Sequence, residues 1–144
     1  MEKALALARE ALELDEVPVG AIVVHENRIV GRGFNRREGD HDPVAHAEMI
    51  AIREAAKNLG SWRLVDCVLI VTLEPCPMCL AAAQQARVES VVYGTEDPKG
   101  GALSLSYCLN EDLRLNHRFE AKLLKTSECE KILKDFFKSK RKRD

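Results

Sequence analysis

Two short stretches constrain this chain more than anything else in it. His46-Ala47-Glu48 opens one apolar run, and Pro75-Cys76-Pro77-Met78-Cys79 opens another. Between them they offer one imidazole, two thiols separated by two residues, and one carboxylate. A C-x-x-C pair joined by a distant histidine can hold zinc with three protein ligands and leave the fourth position open for water. Each part is weak alone. C-x-x-C also occurs as a redox pair, and a histidine ahead of a helix is often a cap. The combination of H-x-E with P-C-x-x-C is far more specific, and in it the glutamate moves protons and is not a ligand.

The pattern around these stretches predicts how they are carried. Residues 2–15 read as a helix, because Leu5, Ala8, Ala11 and Leu12 recur at three- and four-residue steps. Ala21-Ile22-Val23-Val24 and the segment from Ile29 to Phe34 read as a hairpin turning at residues 25–28. Gly31 and Gly33 point to a bulge or a close backbone contact there. A polar loop over 35–43 leads to a helix over 45–59, which Gly60 stops. Residues 67–73 form a continuous apolar strand, 77–87 a helix with Pro77 in its first turn, and 90–93 another strand. A short helix is expected within 103–110, a last strand over 119–124, and a final amphipathic helix over 126–138. A hairpin followed by strand–helix alternation implies an α/β fold, a three-layer α/β/α sandwich around a central mixed sheet of roughly five strands.

A chain of 144 residues suits one domain, here 1–144 with a basic C-terminal tail from about 138. No apolar run is long enough to span a bilayer, and no secretory signal is evident, so no membrane partner is expected. Five cysteines that include a metal-like pair argue for a reducing, cytoplasmic setting. Cys67, Cys108 and Cys129 read as buried filler. A net charge of −1 is not that of a general nucleic-acid binder. The run Lys138-Ser139-Lys140-Arg141-Lys142-Arg143 is nevertheless strongly basic, either a solvated end or a local patch for phosphates.

Both metal stretches fall at helix starts, where unpaired N–H groups and a partial positive charge favour thiolates. His46, Cys76 and Cys79 form the ligand set for one zinc per chain, and Glu48 is the natural general base. Asp97 lies in the loop after the strand ending at Tyr93-Gly94, where ligands bind in sheets of this kind. It reads either as a turn-forming aspartate before Pro98 or as an acceptor for a ligand hydroxyl such as a ribose 2′-OH.

The chain resembles the cytidine-deaminase superfamily, and within it the bacterial tRNA-specific adenosine deaminases. The likeness runs through 16–21, 33–35, 42–48, 71–79, 91–94, Leu115-Asn116-His117-Arg118 and Asp135-Phe136-Phe137. The resemblance implies hydrolytic deamination of adenosine to inosine at the wobble position of a tRNA anticodon stem-loop. It implies a cytidine-deaminase-like fold, Zn2+ held by His46, Cys76 and Cys79, and Glu48 as proton shuttle. It implies that Asn35 and the Ala47 N–H meet the substrate, and that the protein is a homodimer whose partner helps frame the site. A deaminase of a free base or nucleotide, such as cytosine or guanine, shares the metal and Glu48. A structural zinc module would need His41 or Cys67 as a fourth ligand, and neither has suitable spacing.

Overall fold

The computed structural model describes residues 1–144. The hairpin forms as expected: β1 (Gly20–His25) pairs antiparallel with β2 (Arg28–Phe34). Its two turn residues, Glu26 and Asn27, have φ of 49° and 62°. Positive φ at both centres is the type I′ geometry that suits the twist of the flanking strands. The register slips between Val23 and Val24, so the bulge expected from the glycine-rich strand is present. β1 also pairs antiparallel with β3 (Cys67–Val71), and β4 (Ser90–Tyr93) and β5 (Glu120–Leu123) continue from β3 in parallel. The sheet is therefore mixed and five-stranded, in the order β2-β1-β3-β4-β5.

Four helices cover it: α1 (Glu2–Glu13), α2 (Ala47–Leu59), α3 (Pro77–Gln85) and α4 (Ser127–Arg143). Pleating assigns them to faces. In β2, Gly33 approaches α2 so closely that a Cβ would overlap the Ala47 carbonyl oxygen. Gly33 is paired with Ala21, which shares its face with Val23, Leu69, Val71, Val91 and Tyr93. These side chains join Ala51, Ala55, Leu80 and Ala83 of α2 and α3 in the main core. On the opposite face, a Cβ at Gly20 would overlap the Ala4 carbonyl oxygen of α1, and one at Gly94 would overlap Cys129 of α4. The three-layer sandwich follows. No helix is long and apolar enough to cross a membrane.

Three local expectations are corrected. Residues 103–110 hold no α-helix; turns lead to a single 3-10 turn at Leu109–Glu111. The cause is competition: Ser104 donates its N–H to the Glu74 carboxylate at 2.9 Å, and Ser106 takes φ of 67°. Cys108 is exposed, whereas Cys67 and Cys129 are fully buried as expected. The basic run is the last turns of α4, which continues to Arg143. Lys140 and Arg143 both pair with Asp15, just past α1, at 2.6 and 3.3 Å. Glu130–Lys134 and Lys131–Asp135 pairs one turn apart support the same helix.

Candidate active site

His46 and Cys76 occupy the same local position: each is the N-cap of its helix, α2 and α3 respectively, with extended backbone (φ −75°, ψ 152° and φ −69°, ψ 169°). Neither side chain caps its own helix, so both are free to turn outward. Cys79 lies in the first turn of α3 and is buried. The parallel β3-α3-β4 unit and the β2-to-α2 loop bring these helix starts together at one edge of the sheet.

His46 Nδ1 lies 3.6 Å from Cys76 Sγ and 3.4 Å from Cys79 Sγ. All three ligand atoms fall within 4.8 Å of one another. Zinc with Zn–S near 2.3 Å and Zn–N near 2.0 Å in tetrahedral geometry separates N and S by about 3.6 Å. The observed spacing is thus the edge of a zinc tetrahedron, and the donor set fits the metal. No fourth protein ligand joins the group. His41 is exposed, and Cys67 sits at the far end of β3, 3.6 Å from His25 Nδ1. An open three-ligand site belongs to catalytic zinc, and a closed four-ligand site to structural zinc.

The thiols respond to each other before any cation is considered. Cys76 is lowered to about 4, first by the hydrogen bond from Cys79 and also by His46. Cys79 is pushed far up, by its hydrogen bond to Cys76 and by burial. His46 is raised, chiefly by its contact with Cys76. Glu48 is 4% exposed, and burial raises its carboxyl above the usual range. Two thiols, an imidazole and a buried carboxyl this close together shift one another's proton affinities.

A cavity of 1430 Å³ opens over this cluster. Asn35, His46, Ala47, Glu48 and Cys76 form its floor, with loop 95–100 on one side and α4 on another. The N–H of Ala47, first in α2, donates to no carbonyl of the chain. Asn35 is buried, with Nδ2 donating to the Val17 carbonyl at 3.2 Å and Oδ1 accepting from the Arg37 N–H at 3.2 Å. Asp97 also lines the cavity, and its Oδ1 accepts the N–H groups of Lys99 and Gly100 at 3.2 and 3.1 Å. It therefore shapes its own turn, as one of the two sequence readings expects. Of Asp135-Phe136-Phe137, Asp135 and Phe137 line the cavity and Phe136 is buried. Asn116-His117-Arg118 lies elsewhere: His117 Nε2 donates to the Val88 carbonyl at 2.7 Å, beyond the end of α3.

The chain is 44% identical over 144 residues to the tRNA-specific adenosine deaminase of Bacillus subtilis (strain 168), covering 99% of this chain and 89% of that protein. A solved structure from studies of A-to-I editing by tRNA:A34 deaminases matches with a TM-score of 0.83. It has 42% identity and covers 92% of this chain and 97% of that one. The family described as MafB19-like deaminase matches residues 1–141. The chain belongs to the MafB19-like deaminase family, among its tRNA-specific adenosine deaminases. A guanine deaminase from Bacillus subtilis shares the fold less completely, with a TM-score of 0.63 and 38% identity over 74% of this chain and 65% of that one. Deaminases of this cytidine-deaminase-like family use zinc, and His46, Cys76 and Cys79 are positioned to bind a metal.

Sequence reasoning missed one organiser of this deaminase site. Glu74, immediately before Pro75, is 3% exposed. Its carboxylate accepts the Ser104 N–H at 2.9 Å, the Ser104 hydroxyl at 2.6 Å and the Asp97 N–H at 3.3 Å. It ties the cysteine turn to the loop that walls the cavity. The only sequence signal was an acidic residue at the end of an apolar strand.

Proposed function

We propose that this chain hydrolytically deaminates adenosine to inosine at the wobble position of a tRNA anticodon stem-loop. The observation that carries the reading is an open His-Cys-Cys cluster beside buried Glu48, at the floor of a cavity too large for a base alone. Small-molecule pockets run to roughly 300–1,000 Å³, and this one is 1430 Å³, lined by Lys99, Lys125, Lys138 and Arg141 together with acids such as Glu96, Asp97 and Asp135. A free base would leave most of that cavity empty. An anticodon loop presents unstacked bases, so extruding one costs little.

His46, Cys76 and Cys79 hold one zinc. When bound, zinc supplies a Lewis acid that makes water nucleophilic near neutral pH. Glu48 takes one proton from the attacking water and delivers it to the purine ring nitrogen, then takes the second proton from the new C6 hydroxyl and passes it to the amine, which leaves as ammonia as the C6 carbonyl forms. Its burial excludes bulk water, so the proton stays on the carboxyl between these transfers. Asn35 orients the base, and the unpaired Ala47 N–H donates to the substrate at the mouth of α2. Asp97 accepts a hydrogen bond from a ribose 2′-OH while it shapes its turn. Residues 1–144 form one deaminase domain that acts in the cytoplasm. We further read the protein as a homodimer whose partner frames the site; exposed Leu105, Tyr107 and Leu113 offer apolar surface for it.

The test is incubation with an anticodon stem-loop RNA carrying adenosine at the wobble position, beside an oligodeoxynucleotide identical except for the sugar. Inosine is expected in the RNA at a much higher rate than in the DNA. Failure on RNA, with turnover of free guanine or cytosine, overturns the proposal.

Helix α4 divides its cations between two duties, and that yields a second expectation. Lys138 and Arg141 line the cavity, whereas Lys140 and Arg143 are held by Asp15. Replacing Lys138 and Arg141 together by alanine should raise the KM for RNA. It should also flatten the plot of log affinity against log salt by about 1.4, since each single-strand phosphate contributes a slope of about 0.7. The Lys140→Ala, Arg143→Ala pair should change the slope far less. Equal slopes for the two double variants would remove the distinction.

A further inference from the structure

Glu16 is a second buried carboxylate that sequence reasoning left without a role. It is 2% exposed and sits just past α1, where its N–H closes the helix on the Ala11 carbonyl at 3.0 Å. Its partners are not cations. The carboxylate accepts the Gly39 N–H at 2.7 Å and the Glu38 N–H at 3.2 Å. The Arg36 guanidinium in that loop is engaged by Asp40 instead.

The loop it grips has little else to hold it. One end is tied where the Asn35 N–H reaches the Val19 carbonyl and the Asn35 amide reaches the Val17 carbonyl. The other is tied where the Arg36 N–H meets the Ala45 carbonyl at 3.0 Å. The remaining hydrogen bonds of residues 37–44 stay within residues 35–46, such as Asp40 to Arg36, Asp42 to Arg37 and the Arg37 N–H to Asn35 Oδ1. Residues 37–41 are exposed, so apolar packing does not anchor them. Glu16 is therefore the one hydrogen-bonding tie between the middle of this loop and the body of the protein. The same loop presents Asn35 and Arg37 to the cavity and runs directly into His46.

From this arrangement we infer that Glu16 is a positioning residue for the RNA substrate, acting through the Glu38 and Gly39 N–H groups on the wall that carries Asn35 and Arg37. The inference rests on the function proposed above. Zinc binding does not depend on the tie, because His46 is fixed by its own place at the start of α2. Loss of the tie loosens substrate binding before and during reaction alike, so it is felt in KM more than in kcat.

Three variants test it. Glu16→Ala removes both acceptors. Glu16→Asp keeps the buried charge but withdraws it from the loop. Glu16→Gln keeps an acceptor oxygen in place. Alanine and aspartate are expected to raise the KM for the anticodon stem-loop about tenfold or more, with kcat within about threefold and one zinc per chain, whereas glutamine, which keeps one acceptor but sets an NH2 against the other N–H, should fall between them and the parent. If the alanine variant does not fold, the aspartate variant carries the same test. A KM for Glu16→Asp equal to the parent's, or a loss confined to kcat, overturns the inference. Amide hydrogen exchange gives a readout that needs no substrate. Exchange at Glu38 and Gly39 should be faster in the aspartate variant, and unchanged exchange overturns the inference even if the parent proves to act on something other than RNA.

Discussion

Glu48→Gln is expected to keep its zinc and its fold and to lose deamination by about 100-fold to 10,000-fold. Glutamine matches glutamate in shape, so the packing at the start of α2 is undisturbed. Its amide cannot accept and return protons, and four transfers depend on this side chain: from water, to the ring nitrogen, from the new C6 hydroxyl, and to the leaving amine. The parent carboxylate is 4% exposed, and burial raises its proton affinity. A buried amide also costs less to desolvate than a buried carboxylate. The thermal midpoint of the variant should therefore not fall. The measurement is kcat on the wobble-adenosine stem-loop together with zinc content and Tm. A normal rate of inosine formation would remove Glu48 from the mechanism, and a loss of zinc would make it a ligand instead.

The readable parts of this chain were those whose cause is local. The hairpin was legible because two apolar runs flank residues able to take positive φ at Glu26 and Asn27. The helix starts at Ala47 and Pro77 were legible from flanking prolines and periodicity, and the metal cluster from residue types that have few other reasons to occur together. What escaped depends on partners that carry no sequence signature. Glu16 and Glu74 bind backbone N–H groups 22 to 30 residues away, and a backbone N–H looks alike at every position. The end of α4 is fixed by Asp15, 125 and 128 residues away, so the basic run alone resembled a loose tail. The expected helix near Leu103 lost to Glu74, which takes the Ser104 N–H. Tertiary hydrogen bonds overrode local propensity at each of these places.

Cys76→Ala is expected to lose zinc, and with it the mutual order of the two helix starts. The parent site has three ligands, with His46 Nδ1 3.6 and 3.4 Å from the two sulfurs. Deleting one leaves Cys79 and His46, a donor pair that cannot hold zinc against dilute chelator. Cys79 is also the thiol that its hydrogen bond to Cys76 and its burial push upward. Removing Cys76 takes away the larger cause, but burial and the nearby Glu48 carboxylate still favour the neutral thiol, the form that does not ligate metal. Metal binding is coupled to folding, with structural zinc in small peptides worth on the order of 10 kcal/mol. Here the main core contains none of the three ligands, so the stability change is expected to be smaller and local to the first turns of α2 and α3. Cys76→Ala should therefore melt at the same temperature as parent protein stripped by chelator, and restored zinc should raise the parent's Tm but not the variant's. Elemental analysis of the purified variant decides the ligand assignment. One zinc per chain in Cys76→Ala would mean that the metal is held elsewhere or by other donors.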